Sequence, residues 1–249
     1  MKAFRNDVKF ALWMLPVTLL ALALSLAYQL QLFADQAAAA IQQMGGMTAF
    51  ALASILPPAL FVFVLCVLGR HLAGKLGLRR PFSLEKKPLV RVIGMGLVFG
   101  LVLLADHFWL GGLYPPIQQA NRVGNTPVGI AAAVVYGGIV EELLLRLFFM
   151  SLLVWLLWKC FARGQKTAPA WAFAAGNGLA AALFAAGHLP ATVALFGGLD
   201  AIVVLRCFVL NGGAGLCFGL LYQKYGLQYA MLAHMACHLC FKLLLALFL

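Results

Sequence analysis

The chain has 249 residues, 64% of them hydrophobic and only 10% charged, with 18 Lys and Arg against 7 Asp and Glu for a net charge of +11. Its mean hydropathy of +0.98 lies outside the range of a soluble domain, and long apolar runs recur from end to end. This leaves no room for a sizeable soluble domain. The absence of short alternating segments excludes a β-barrel, so the expected class is all-α, one polytopic integral membrane domain over 1–249.

At about 20 apolar residues per crossing, the sequence predicts eight transmembrane helices, near 8–32, 47–69, 89–111, 128–158, 169–188, 190–210, 212–224 and 226–248. The first run is too long for a signal-peptide core and lacks a clear cleavage site, so it reads as a retained span. Residues 1–126 hold the first three spans and a basic loop, and "ADQAAAAIQQMGG" between the first two reads as a short interfacial helix. The fourth run is too long for a straight crossing, which predicts tilt, an interfacial extension or a kink near Gly137 and Gly138. Gly212, Gly213, Gly215 and Gly219 predict close packing of the seventh span.

The positive charge is clustered. Seven Lys and Arg fall in 70–91, three in 159–166, and Lys2, Arg5 and Lys9 lie at the start, whereas 33–46 and 112–127 hold only Arg122. Clusters flanking apolar spans follow the positive-inside rule, which predicts a bacterial inner-membrane protein with both termini cytoplasmic. The bilayer, including anionic headgroups, is then the partner of these basic loops, and nucleic acid is not. The six cysteines form no CxxC pair and sit mostly within spans, as small buried apolar residues rather than a disulfide framework.

Ionisable groups inside the spans carry the functional signal. In "EELLLR", Glu142 and Arg146 are four apart and share a helical face. Glu141 is turned by about 100° from Glu142. The spacing predicts a supporting ion pair, Glu142–Arg146, and a free carboxylate, Glu141, placed to act as a general base. His188 ends the fifth predicted span, and His234 and His238 share one face of the eighth. Counted from the non-cytoplasmic side, the three segments place these groups in one cavity in the outer half of the membrane. Glutamate with histidines and no serine or cysteine nucleophile points to activated water. The same four residues, Glu141, His188, His234 and His238, could instead ligate zinc, although "HMACH" has Met235 where an HExxH helix has its glutamate. Metal-free glutamate chemistry, with no cofactor, is the reading preferred here.

The ordered motifs Glu141-Glu142-Leu-Leu-Leu-Arg146, Phe184-Ala-Ala-Gly-His188 and His234-Met-Ala-Cys-His238 resemble those of the CAAX protease and bacteriocin-processing family of intramembrane proteases. The likeness covers about 135–240 and makes 127–249 the catalytic half. It implies a glutamic-type endopeptidase with its active site in the membrane core, acting on a peptide or protein substrate near the bilayer. Glu141 and His188 would activate water, His234 and the residue four later would hold the oxyanion, and Glu142, Arg146 and Phe184 would support the site. His238 departs from the family pattern, in which asparagine is usual. The outward-facing cavity suits a secreted or membrane-anchored substrate, such as a C-terminal sorting helix or leader, better than a cytosolic prenylated tail. Two rival classes are a proton-coupled transporter, which would show paired broken helices in two halves, and a non-catalytic membrane scaffold or immunity protein.

Other polar residues have local readings. Asp106 and His107 lie beside Trp109 and Tyr114 in an aromatic belt. Asp200 and Arg206, six apart, face different directions and need partners elsewhere. Asn177 and Asn211 suit interhelical hydrogen bonds, and 115–127 reads as a connector over the cavity mouth.

Overall fold

Apolar helices must satisfy every backbone polar group internally, and this chain does so almost without loops. The computed structural model describes residues 2–249, and every regular element among them is helical. In chain order these are α1 (Lys2–Leu32), α2 (Ala34–Gln43), α3 (Met47–Lys75), α4 (Lys86–Leu113), α5 (Pro115–Val123) and α6 (Pro127–Ala132). Two π-helical stretches, π1 (Ala133–Glu141) and π2 (Leu143–Met150), run on into α7 (Ser151–Phe161). Then come α8 (Ala170–Gly187), α9 (Leu189–Phe196), α10 (Ala201–Cys207), π3 (Phe208–Gly212), α11 (Gly213–Tyr225) and α12 (Leu227–Ala246).

Six helical runs are long and apolar enough to cross a membrane: Ala3–Leu32, Met47–Lys75, Lys86–Leu113, Ala170–Phe196, Ala201–Tyr225 and Leu227–Ala246. Residues 127–161 make one further continuous rod. The expected division into eight spans is therefore corrected in its last third. The predicted span 190–210 straddles a turn at Gly197, which takes a left-handed backbone conformation (φ 75°), and 201–225 is one rod with no break at 211. Within the rod Gly215 and Gly219 pack closely against Ala181 and Asn177 of α8, as their small size predicts.

The ends of the bundle differ in charge. Arg70, Arg79 and His71 surround the fully buried Asp7 at one end, with Lys86, Lys87, Arg91 and Lys224 on neighbouring helix termini. At the other end Thr126 bonds Gln31, Lys242 reaches Gly124, and Tyr114 bonds Asp200. Residue 7 and residue 242 thus lie at opposite ends of the bundle. Asp106 takes a bidentate pair from Arg206 across α4 and α10, the shortest contact being 2.6 Å.

The central helix is α12, which packs on α4, π1 and α11. Gly96 and Gly100 of α4 let it ride directly on Ala233, Ala236 and Cys240 of α12, since a methyl group at either would overlap them. The helix α2 has no buried residue, as an interfacial segment requires. The α5 connector is tied down by Gln118 and Asn121, which bond the carbonyl and Nδ1 of the buried His107.

Candidate active site

The charged residues of "EELLLR" fall in the π-helical part of the 127–161 rod, with Glu142 alone joining π1 to π2. A π turn takes up more residues than an α turn and is found most often at functional sites. Glu142 is fully buried and Arg146 nearly so. The Arg146 Nε lies 3.3 Å from Glu142 Oε2, and its Nη2 donates to the Gly215 carbonyl at 3.1 Å. The guanidinium also sits over the rings of Phe184 (4.9 Å) and Phe218 (5.7 Å). Stacking on two rings while different nitrogens reach a carboxylate and a backbone carbonyl is what arginine, unlike lysine, can do in an apolar interior.

Glu142 has a second partner. His234 Nδ1 lies 2.9 Å from Glu142 Oε1, and because a carboxylate only accepts, the proton sits on Nδ1. His234 Nε2 is then the acceptor for His238 Nε2–H at 3.1 Å. Phe218 stacks on His234 at 4.7 Å and fixes the plane of the ring. The pair read from spacing as purely supporting therefore also sets the tautomer of a histidine.

His188 is positioned by an irregular turn. Pro190 brings no N–H to the helix, and the His188 backbone N–H bonds Ala185 rather than the carbonyl four residues back. The Phe184 carbonyl so released is taken by His188 Nδ1 at 2.8 Å, which leaves Nε2 as an acceptor aimed at Glu141. The Phe184 ring meets the imidazole edge-on at 4.6 Å. His188 does not close a span, since the rod continues to Phe196.

Glu141 stands between the two histidines. Its Oε1 is 3.9 Å from His188 Nε2 and its Oε2 is 3.7 Å from His234 Nε2. Both gaps exceed a direct hydrogen bond and are of a length that one bridging water spans. All four predicted residues, Glu141, His188, His234 and His238, meet here with Glu142, Arg146 and Phe184 around them. With Leu227, the first residue of α12, at the basic end, His234 lies seven residues from that end.

Gly137 explains how α12 comes so close. A methyl group there would lie 2.8 Å from His238 Nε2 and 3.3 Å from His234 Nε2. At Gly138 it would overlap Met235.

Glu141 and His188 line a cleft of about 640 Å³ between α1, π1, α8, α9 and α12, with Tyr28, Tyr136 and Lys242 among its other walls. Its lining reaches Phe33, Gly129, Leu195 and Lys242, so it opens towards the end away from the basic cluster. Behind the histidines a small pocket of about 40 Å³ is lined by His188, His234, His238 and Asn211.

Both His234 nitrogens are engaged by hydrogen bonds to Glu142 and His238, and His188 Nδ1 is engaged by a carbonyl. Among the described residues no group of three His, Cys, Asp or Glu side chains has the geometry to hold an ion.

Residues 123–240 match the family model described as type II CAAX prenyl endopeptidase Rce1-like. This segment belongs to the CAAX endopeptidase family. The match begins at the start of the 127–161 rod and ends just beyond His238, so the family segment contains every residue of the Glu–His cluster. No curated protein and no solved structure matches the chain. The family match over 123–240 and the six apolar helices together make this an integral membrane protein.

Sequence reasoning passed over Lys242 and the role of Gly137. Lys242 continues the four-residue stripe 234, 238 and 242 on α12, and that spacing was the available signal. Nothing in the sequence tells which helix Gly137 faces.

Proposed function

We propose that the chain is an intramembrane endopeptidase that hydrolyses a peptide bond with water activated by Glu141. The observation that carries this reading is the Glu141 carboxylate suspended between His188 Nε2 and His234 Nε2 at 3.9 and 3.7 Å on the wall of an open cleft.

The chemistry follows from the hydrogen bonds. Glu141 takes a proton from water oriented by His188, and the hydroxide adds to the scissile carbonyl carbon. The oxyanion forms beside the His234–His238 pair, where an imidazole N–H donates to it. Glu142 holds the Nδ1 proton of His234, so that His234 Nε2 keeps the His238 N–H in place beside the oxyanion. Glu141 then passes its proton to the leaving nitrogen as the C–N bond breaks, which yields a carboxylic acid and an amine, the acid's proton passing on to the amine. No step needs a metal. His238, where asparagine is usual, supplies an N–H in this scheme and so fills the donor role with a different group.

Substrate access fits the cleft. It opens at the end poor in Lys and Arg, which the positive-inside rule places on the non-cytoplasmic side. A secreted or membrane-anchored peptide with its cleavage site near the bilayer is the substrate class that reaches it.

The test is cleavage of a fluorescence-quenched apolar peptide by the purified chain in liposomes, with and without EDTA and 1,10-phenanthroline. Cleavage at an unchanged rate in both chelators is expected. Loss of activity that zinc restores would overturn the metal-free scheme. Gly137→Ala should lower the rate by about 10- to 100-fold, because the methyl group displaces His238 from His234 by a few tenths of an ångström or more. Folded yield should hardly change, and gel-filtration recovery measures that separately.

A further inference from the structure

Lys242 is a buried cation in the wall of the catalytic cleft that the hydrolytic scheme does not use. It is 8% exposed, lies inside the Leu227–Ala246 span, and lines the same cleft as Glu141 and His188. Its Nζ donates to the Gly124 carbonyl at 3.0 Å, which occupies one of three N–H groups. Among the described residues no carboxylate forms an ion pair with it. An ammonium held in an apolar span without a counter-charge is destabilising unless something anionic visits it. The Tyr28 hydroxyl approaches the same Gly124, and Tyr28 lines the cleft beside it, so a second polar group adjoins the lysine.

The position along α12 gives the lysine a reach. His234, His238 and Lys242 are stacked four residues apart, which sets Lys242 about 12 Å along the axis from His234. An extended peptide covers that distance in a few residues. A chain whose scissile carbonyl sits at Glu141 would thus bring a group a few residues further on to the ammonium.

We propose that Lys242 anchors a carboxylate of the peptide substrate, either its C-terminal carboxylate or an acidic side chain. This rests on the endopeptidase reading, but the anchor is tested by binding and not by turnover. The probe is a dansylated apolar tripeptide in three forms: a free C-terminal acid, its C-terminal amide, and the amide carrying one glutamate. Each is titrated into the purified full chain in neutral-lipid nanodiscs, and fluorescence reports the affinity.

The free acid should bind about tenfold or more tighter than the plain amide, the usual strength of a charge-assisted hydrogen bond in a site of low water content. If the glutamate amide regains that affinity, the anchor accepts a side chain; if only the free acid does, it reads the chain end. Lys242→Gln should abolish the preference while Lys242→Arg keeps most of it. Equal binding of acid and plain amide by the unmodified chain would overturn the proposal, with no variant needed. So would a preference that survives Lys242→Gln. Glu141→Gln should retain the preference while turnover stops, so a carboxylate preference without any cleavage in the parent chain would count against the protease and not against the anchor.

Discussion

Glu141→Gln should reduce the cleavage rate by about 10²- to 10⁴-fold, the usual contribution of a positioned general base, and leave the fold intact. The change is isosteric, and Glu141 makes no hydrogen bond shorter than its two gaps of 3.7 and 3.9 Å. Its removal therefore leaves no buried partner stranded. His188→Gln should act on the same step, since His188 Nε2 faces Glu141 while its Nδ1 is held by the Phe184 carbonyl. The double variant should be scarcely slower than the slower single one, because two groups that orient and deprotonate one water fail as a unit. Single-turnover cleavage in liposomes gives the rates, and thermal unfolding in detergent shows whether the fold is unchanged. Multiplicative losses would mean that the two residues serve separate steps.

The largest effect on stability is expected at Arg146. Arg146→Leu leaves Glu142 fully buried and charged, with His234 its only hydrogen-bond partner, a change that costs about 3–5 kcal/mol for buried pairs. The folded yield should collapse accordingly. The double variant Arg146→Leu with Glu142→Leu should recover most of that yield, since replacing both members by apolar groups of similar size removes the stranded charge. It should not recover activity, because His234 loses the carboxylate that fixes its Nδ1 proton. Thermal stability and cleavage, measured on the same preparations, thus separate the ion pair's part in folding from its part in the site. Activity comparable to the parent in the double variant would show that Glu142 serves the fold alone.

Much of the site could be read from spacing because it is built from side chains four residues apart on single helices. Glu142 with Arg146 and His234 with His238 are such pairs, and each makes the direct contact that its spacing suggests. The partner of Glu142 across the bundle, His234, is 92 residues away, and no local pattern encodes it. The π-helical path of 133–150 was equally hidden, because its apolar composition suits an α-helix just as well. Span counting went astray at Gly197 and Gly212 for a physical reason. Both regions are rich in glycine, but only Gly197 has the left-handed backbone that turns a chain, whereas Gly212 is packed against α8. The extra boundary reversed the direction expected for the last rod relative to the first. The ion pair of Asp106 with Arg206 was invisible for the same reason as His234: its members lie 100 residues apart.

The central claim is that Glu141 drives peptide-bond hydrolysis at the membrane, and its most direct test does not require the substrate to be known beforehand. Membranes of cells producing the chain, or its Glu141→Gln form at equal abundance, can be compared by mass spectrometry of all protein termini. The account predicts new termini next to apolar segments with the unaltered chain and none of them with Glu141→Gln. Identical sets of termini from the two membranes would contradict it.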